Sequence, residues 1–169
     1  MQFDPYILDS NGNRVPVTIA PMSKDDAKQT DAFPKWQTSW MSDFITDSDF
    51  DCYAVKNDDE LIALGAYEIQ KGILVVYIVY MESHPESNPT LTHNRKYTGI
   101  GKLLIALGIK LSVDNGFGGD VVLRAKTSSL EKHYINDYGA VKLPSYNSAA
   151  PRYLIADEAA KQILLSYLR

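Results

Sequence analysis

The sequence NRKYTGIGKLL, residues 94–104, places Gly99 and Gly101 one residue apart at the predicted start of a helix. Leucines then recur on one face of that helix: Leu103, Leu104, Leu107 and Leu111. Gly116 stands where the helix needs a residue in the left-handed conformation to end. Glycines ahead of a helix let main-chain amides approach a ligand closely, and the first N–H groups of the helix have no intrahelical acceptor. The stretch therefore predicts an anion-binding loop.

Two common phosphate-binding patterns do not fit this loop. A Walker loop requires a glycine five residues before the Gly-Lys pair and Ser or Thr after it, but Lys96 and Leu103 occupy those positions. A dinucleotide fingerprint requires a third glycine where Leu104 stands. A pyrophosphate held by the helix amides fits better, with positive charge from Arg95 and Lys102 as well as Lys96. A simple turn is the alternative for any glycine pair.

The chain before the loop predicts an antiparallel meander. Three apolar runs are separated by short polar turns: CYAV at 52–55, LIALGAYEI at 61–69 and ILVVYIVYM at 73–81. Short connections make neighbouring strands antiparallel. The third run is apolar on both faces, so we expect it at the centre of the sheet and covered on both sides. Near the start, FDPYILD and RVPVTIA flank an Asn-Gly turn and predict a hairpin within residues 1–20.

Two helices are predicted between the hairpin and the meander. Ser23 and Asp26 have the spacing of a capping box, so the first helix should begin there, run towards Ala32 and stop before Pro34. The segment WQTSWMSDFI predicts the second. Its large side chains recur at helical spacing and are expected to pack in the core: Trp36, Trp40, Met41 and Phe44.

Beyond the loop, strand and helix signals alternate. VVLRA at 121–125 and RYLIAD at 152–157 predict strands, and EAAKQILLSYL predicts a closing helix. Ser128 and Glu131 form a capping box for the helix between the two strands, and Gly139 should end that helix. The order of elements predicts an α/β (α+β) fold with helices packed on a mixed sheet.

The composition excludes several classes of protein. The 169 residues are 45% hydrophobic and 22% charged, typical of one folded domain spanning 1–169. A net charge of −4 argues against a nucleic-acid partner. Cys52 is the only cysteine, so an intramolecular disulfide is impossible, and no histidine pair has metal-ligand spacing, so no metal is predicted. The most apolar stretch, 72–81, is too short to span a bilayer, and no signal-peptide pattern opens the sequence, so a cytoplasmic location is expected.

Two segments resemble a known family. KYTGIG, residues 96–101, resembles the Gln/Arg-x-x-Gly-x-Gly/Ala motif of the GNAT superfamily of N-acetyltransferases, although Lys96 departs from its first position. YINDYGA, residues 134–140, resembles the closing Tyr-x-x-x-x-Gly-Phe segment of that superfamily, with Ala140 in place of the aromatic residue. The likeness extends from about Leu61 to Val141.

The resemblance implies a GNAT-like fold with a mixed, mostly antiparallel central sheet flanked by helices. It implies acetyl-CoA as co-substrate and a small-molecule or peptide amine as acceptor. The residues it implies at the cofactor are Met81, Arg95, Lys96, Tyr97, Thr98, Gly99, Ile100, Gly101 and Lys102. A main-chain amide near Met81 is the expected donor to the thioester oxyanion.

The resemblance also directs attention to two side chains for acid–base chemistry. An amine acceptor has a pKa of about 10.4 and must lose a proton before it attacks. Glu82, at the end of the central strand, is the expected base, and partial burial should raise its pKa. A solvated charge is the plain alternative, and His84 and His93 are substitute bases. Tyr134 matches the family's tyrosine and is the expected acid, whereas Tyr138 is expected in the core. The alternative for Tyr134 is that Leu130, Tyr134 and Tyr138 form a core stripe on one face of the helix.

Three functions remain open from the sequence. Direct acetyl transfer without a covalent intermediate is the first, an acyl-CoA-binding module without catalysis is the second, and a structural protein is the third. The segment SHPESNPTLTHN at 83–94 is expected to line the acceptor side, with further candidates Tyr77, Tyr80, Trp36 and Trp40. The acceptor itself and the oligomeric state, a homodimer included, cannot be predicted from the sequence.

Overall fold

A computed structural model of the chain describes residues 1–125, 127–145 and 150–169. The strands are β1 (Tyr6–Leu8), β2 (Arg14–Pro16), β3 (Thr18–Pro21), β4 (Asp51–Asn57), β5 (Glu60–Gln70), β6 (Val75–Ser83), β7 (Val121–Arg124), β8 (Val141–Lys142) and β9 (Arg152–Ile155). The helices are α1 (Lys24–Gln29), α2 (Asp43–Thr46), α3 (Ile100–Asp114), α4 (Ser128–Tyr138) and α5 (Asp157–Leu165). A short 3-10 helix covers Pro85–Ser87.

The strands form one large and one small sheet. Within the described residues, seven strands follow the order β3-β4-β5-β6-β7-β9-β8, and β1 pairs with β2 in a separate hairpin. The pairs β3–β4, β7–β9 and β8–β9 are antiparallel, whereas β6 and β7 are parallel. The predicted fold, a mixed and mostly antiparallel sheet with helices, is confirmed. The order also confirms that the apolar third run of the meander, β6, lies at the centre of the sheet.

The chain divides into two compact units. The first contains residues 1–66, 80–104 and 169, and the second contains residues 67–79 and 105–168. The hairpin, the loop of residues 96–101 (the glycine loop) and the carboxyl end of β6 therefore belong to the first unit. The strands β7 to β9 and the helices α4 and α5 belong to the second unit.

The predicted hairpin and first helix are both present in the first unit, and both are shorter than predicted. RVPVTIA is divided at Val17 between β2 and β3, because β3 leaves the hairpin to pair with β4. The capping box of Ser23 and Asp26 is present. The helix ends at Gln29 rather than near Ala32, and the hydroxyl of its C-cap residue, Thr30, accepts a hydrogen bond from the Trp40 amide at 3.0 Å.

The second predicted helix is wrong over most of its length. Only Asp43–Thr46 is helical, and the residues from Trp36 to Ser42 are irregular. Trp36 and Trp40 are buried, as predicted for the core, but Phe44 is 57% exposed. The helical spacing was misleading because tertiary hydrogen bonds, described below, hold the main chain of this segment away from a helix.

The second unit differs from the prediction at α4, β8 and β6. Thr127, not Ser128, is the N-cap of α4, and its side chain accepts a hydrogen bond from the Leu130 amide. The short strand β8 was not predicted, because two exposed residues carry no periodic signal. Gly139 ends α4 in the left-handed conformation, φ 66°, as expected. On β6, Tyr77 and Val79 are only half-buried, so the expected cover on both sides of this strand is incomplete.

The middle of α3 offers a test of how tightly the second unit is packed. A Cβ atom on Gly108 would lie 3.1 Å from Ile78 Cδ1 and 3.2 Å from Tyr67 Cε1. We expect Gly108→Val to lower the free energy of unfolding by about 1–3 kcal/mol, because the added methyl groups overpack this contact. Urea titration measures the change, and Gly101→Val is the matched control, since a Cβ there meets no atom within 4 Å. Equal stabilities for the two variants would contradict the prediction.

Candidate functional site

The first residues of the glycine loop are held in place by hydrogen bonds from their main-chain amides. Three amides of this segment donate to other parts of the unit: Lys96 N to Glu86 O, Tyr97 N to Ser87 Oγ, and Thr98 N to Leu8 O. Leu8 N in turn donates to Thr98 O at 3.0 Å, so a β-bridge ties the hairpin to the loop. The Thr98 amide, predicted at the cofactor, is therefore already used.

The next three amides are differently placed. Gly99 has φ 78°, a conformation that glycine adopts without strain, and its carbonyl accepts from Leu103 N. Among the residues that the structure describes, no protein acceptor lies in hydrogen-bond range of the N–H groups of Gly99, Ile100 and Gly101. They stand at the start of α3, a helix of 15 residues, where the helix dipole adds positive potential. This arrangement is suited to an anion.

The basic side chains near the loop have different environments. Lys96 Nζ lies 2.6 Å from Glu60 Oε1 and 4.0 Å from Glu86 Oε2. The hydrogen bond to Glu60 raises the pKa of Lys96, so the ammonium stays charged but is paired with a carboxylate rather than directed to the loop. Arg95 is exposed and Lys102 is half-buried. The Lys96 ammonium therefore has a carboxylate partner that competes with a bound anion.

The main-chain N–H groups near the start of β6 and just after its end donate towards opposite neighbouring strands. Val76 N donates to Asp120 O, on the side of β7, whereas His84 N donates to Ile62 O, on the side of β5. In a regular strand, residues separated by an even number point their N–H groups to the same side. The regular alternation is therefore not kept between these residues, as a β-bulge would explain. Met81 lies within this interval and is half-buried.

Glu82 lies near the end of β6 and is buried, with 5% exposure. Its Oε2 accepts from Gln37 N at 2.7 Å and from Thr38 N at 3.4 Å, and its Oε1 accepts from Trp40 Nε1 at 3.0 Å. Donors of this kind stabilise the carboxylate anion and oppose the cost of its burial. No local pattern in the sequence predicts these partners, which lie more than forty residues earlier in the chain.

The aromatic residues around Glu82 form part of the same cluster in the first unit. The rings of Trp40 and Tyr80 are 5.7 Å apart, and those of Trp36 and His84 are 5.9 Å apart. The hydroxyls of Thr38 and Tyr80 are hydrogen-bonded at 2.8 Å. The structure thus brings three of the predicted acceptor-side residues together at the end of β6. Tyr77, the fourth, belongs to the second unit.

The two histidines proposed as substitute bases are not equivalent. Burial is the main reason why the pKa of His84 is lowered, so this side chain is mostly neutral at pH 7. Its Nδ1 accepts from Glu86 N at 3.1 Å, which leaves the proton of the neutral ring on Nε2. Nδ1 then already accepts a hydrogen bond and Nε2 already carries a proton, so His84 is poorly suited to remove a proton from an amine. His93 is exposed.

The segment from Ser83 to Asn94 is partly packed rather than wholly a surface loop. Ser87 and Asn88 are buried, and Asn88 Nδ2 donates to Gln37 Oε1 at 3.0 Å. The segment is thereby joined to the irregular segment that carries Trp36 and Trp40. Two stretches far apart in the sequence thus support each other around Glu82.

Tyr134 lies in α4 of the second unit and is buried, with 6% exposure. Its ring contacts Tyr153 edge-on at 6.3 Å and stacks on Tyr138 at 6.4 Å. Burial raises the pKa of Tyr134, so its phenol remains protonated well above neutral pH. Among the described residues, no hydrogen bond to its hydroxyl is present. Tyr138 is half-buried beside it rather than in the core, and Leu130 is exposed.

Other chemistry has less support in the structure. Burial, followed by the charge of Asp51, raises the pKa of Cys52 to about 11, so a nucleophilic thiolate is not populated near neutral pH. Within residues 1–125, 127–145 and 150–169, no group of three or more His, Cys, Asp or Glu side chains could hold a metal ion. Over the same residues, none of the helices has the length and apolar character needed to cross a membrane.

Comparison with known proteins rests on structure alone. No protein-family model and no curated protein matches this sequence. Among solved structures, the chain is similar to an acetyltransferase from Bacillus subtilis in complex with CoA, with a TM-score of 0.55, 15% identity and coverage of 83% of this chain and 97% of that one. It is also similar to the PaiA N-acetyltransferase from Thermoplasma acidophilum in complex with coenzyme A, with a TM-score of 0.54, 14% identity and coverage of 81% and 97%.

A third structure carries the family name. The chain is similar to an acetyltransferase of the GNAT family from Listeria monocytogenes, with a TM-score of 0.51, 11% identity and coverage of 89% of this chain and 97% of that one. Identities at this level establish the fold only. The order of the sheet, the parallel β6–β7 pair and the glycine loop at the start of α3 agree with the resemblance seen in the sequence. The chain has the fold of the GNAT N-acetyltransferases.

Proposed function

We propose that the protein transfers an acetyl group from acetyl-CoA to a primary amine. The observation that carries the proposal is the set of N–H groups on Gly99, Ile100 and Gly101 at the start of α3. These groups suit the pyrophosphate of coenzyme A, because anions bind at helix N-termini through just such amides. Similar solved structures contain CoA, which supports this choice of anion.

Bound acetyl-CoA would supply an activated thioester, and the residues of this chain would hold it and move protons. Arg95 and Lys102 would add positive charge to the amides of the loop, and Lys96 would support the loop through Glu60. The main-chain amide of Met81 is our proposed donor to the thioester oxygen. The interruption in the hydrogen bonding of β6 supports it, since a bulge leaves one residue outside the ladder.

Glu82 is the proposed general base for the acceptor amine, acting directly or through water. Its support is its place at the end of β6, its burial among aromatic rings and the N–H donors, which stabilise the anionic form of a carboxyl group. An anionic carboxylate in such surroundings can accept the proton that the amine loses. Trp36, Trp40 and Tyr80 around it give an apolar and aromatic setting suited to an organic amine.

One observation favours a second candidate function. The carboxylate of Glu82 receives three N–H groups of the protein, and such a residue can serve to hold the segment of residues 37–40 in place. In that case the chain would bind acyl-CoA and act as a sensor or a partner, without turnover. Catalysis and binding are distinguished by the experiments below.

The proposed function is tested in two steps. Acetyl-CoA should raise the melting temperature in a concentration-dependent manner, because a ligand that binds only the folded state stabilises it. A thiol-release assay over small amines, amino acids and peptides should then identify an acceptor class. Thermal stabilisation without thiol release from any amine would favour the binding module. No stabilisation at all would contradict both functions.

Tyr134 is the proposed general acid that protonates the departing thiolate. We expect Tyr134→Phe to lower kcat by about 10²-fold, at the lower end of the usual range for general acid–base catalysis. Because the hydroxyl has no hydrogen-bond partner among the described residues, the melting temperature should change little. Steady-state kinetics and thermal unfolding measure the two effects.

The dependence of kcat on pH also tests this role, because a general acid must be protonated to act. Since burial raises the pKa of Tyr134 above that of a free phenol, the acid remains protonated at neutral pH, and its deprotonation should not lower kcat below about pH 10. Tyr138→Phe is the matched control, since it removes the neighbouring phenol, and should leave kcat nearly unchanged. An equal loss of kcat in both variants would contradict the assignment.

A further inference from the structure

Two arginines face each other on the sheet of the second unit. Arg124 of β7 is directly opposite Arg152 of β9 in the antiparallel register. Residues opposite each other share a face of the sheet, and like charges at such positions are destabilising. Val122 lies on the same face, two residues from Arg124, and Tyr77 is opposite Val122 in the parallel register with β6. This face therefore carries two cations beside a tyrosine.

The same side chains line a cavity. Its volume is about 120 Å³, and the lining residues are Gln70, Ile73, Tyr77, Val122, Arg124 and Arg152. That volume is well above the roughly 10–15 Å³ that a single water molecule requires. Besides the two arginines, the lining residues with polar side chains are Tyr77 and Gln70, and those with apolar side chains are Ile73 and Val122. A small organic anion suits such a lining.

In the part of the chain that the structure describes, neither arginine is neutralised by an acidic side chain. Over the described residues, no carboxylate lies within salt-bridge distance of Arg124 or Arg152. The Arg124 guanidinium makes one long contact, 3.4 Å, with the Ala150 carbonyl. Glu68, two residues before Gln70 in β5, accepts a hydrogen bond from Gln70 Nε2 at 2.8 Å. Two opposed cations that form no salt bridge within the described part of the chain are an arrangement that an external anion would relieve.

We propose that Arg124 and Arg152, with Tyr77, bind the phosphate group of a small phosphorylated molecule. Guanidinium groups donate pairs of N–H bonds to phosphate oxygens, and two of them match the charge of a phosphate monoester, which is between −1.5 and −2 near pH 7. A carboxylate would balance only one of the two. The apolar part of the molecule would lie against Ile73 and Val122. The site is independent of the proposed acyl transfer, and none of its residues belongs to the glycine loop.

The test uses the full chain and inorganic phosphate as the probe. Arginine Nε–Hε resonances are followed by NMR during titration with phosphate, at an ionic strength kept constant with chloride because salt screens exposed charges. We expect saturable shifts of the Arg124 and Arg152 resonances with a dissociation constant on the order of 1 mM. Acetate, with a single charge, should bind at least about tenfold more weakly. The amides of Gly99 and Gly101 report separately on phosphate bound at the glycine loop.

Variants separate binding from a structural role. Arg152→Gln should weaken phosphate binding at the remaining arginine by about tenfold or more, and it should not lower the melting temperature without phosphate, since it removes a like-charge pair. Phosphate should raise the melting temperature of the wild type more than that of Arg152→Gln. Arg14→Gln, with the same change of charge on the N-terminal hairpin, should respond as the wild type does. Arg124→Gln serves as a second variant with the same expected loss.

Several results would overturn the proposal. They are shifts confined to the glycine-loop amides, the absence of saturable shifts at both arginines, acetate binding as tightly as phosphate, and an equal response of Arg152→Gln and Arg14→Gln. The wild-type titration alone decides the matter if the Arg152 and Arg124 variants do not fold.

Discussion

Replacement of Glu82 by glutamine is expected to lower kcat by about 10²–10⁴-fold, the range that general acid–base catalysis contributes. Glutamine keeps the shape of the side chain but cannot accept the proton of the amine. Steady-state kinetics with the acceptor found by thiol release measures this loss. The acidic limb of the pH–rate profile should also disappear, because the group that must be anionic is gone.

The same substitution has a structural cost that must be measured separately. One oxygen of Glu82 becomes an NH₂ group and faces either the Gln37 amide or the Trp40 indole, both of which are donors. A buried donor left without an acceptor costs about 1–3 kcal/mol. Urea titration gives this cost, and the fluorescence of the buried tryptophans reports whether the segment of residues 37–40 has moved. The rate is then compared only between folded proteins.

Tyr80→Phe is the matched control for Glu82→Gln. It removes a hydroxyl that is hydrogen-bonded to Thr38 Oγ1 in the same cluster and leaves the Glu82 carboxylate itself in place. We expect a loss of stability of about 1 kcal/mol and only a small change in kcat. If Tyr80→Phe loses as much activity as Glu82→Gln, Glu82 is a positioning residue rather than the base. If Glu82→Gln turns over every amine at the wild-type rate, the assignment is wrong.

Gly101→Val is expected to weaken the binding of coenzyme A by about 100-fold, roughly 2.7 kcal/mol. A Cβ at this position meets no protein atom within 4 Å, so the added methyl groups would stand in the open space beside the first amides of α3. A phosphate that must approach those amides closely would be kept away. Isothermal titration calorimetry with coenzyme A measures the loss of affinity.

Stability should move in the opposite direction in this variant. Valine has a better helix propensity than glycine by a few tenths of a kcal/mol, about 0.3, so the free protein should be as stable as the wild type or slightly more so. Gly108→Val in the same helix should show the reverse pattern, lower stability with affinity retained in the folded fraction. Unchanged affinity in Gly101→Val would contradict the placement of the cofactor at this loop.

Local signals in the sequence predicted much of the fold. The capping box at Ser23, the leucine face of α3 and the left-handed glycines Gly116 and Gly139 each depend on neighbours within a few residues, and all three are present. The order of the meander followed from short turns for the same reason. The capping residue of α4 was misplaced by one position, because Thr127 and Ser128 are both good caps and the main-chain path decides between them.

The candidate site was less predictable because its contacts are distant in sequence. Nothing in the WQTSWMSDFI pattern indicates that the Glu82 carboxylate, far along the chain, captures two main-chain amides and so prevents a helix. In the same way, the composition around Lys96 predicted a charge for the loop but not its pairing with Glu60. The opposed arginines of β7 and β9 became visible only when the register of the two strands was known.

The bridge between Leu8 and Thr98 makes two neighbouring parts of the loop report on different events. Deuterium should enter the Thr98 amide only when the hairpin detaches, whether or not a ligand is bound. The amides of Gly99, Ile100 and Gly101 should exchange rapidly in the free protein and slow down only when an anion occupies them. Comparing the two sets of exchange rates in one experiment would separate local opening of the hairpin from occupancy of the loop by a ligand. It would also show how much of the binding site is rigid before the ligand binds.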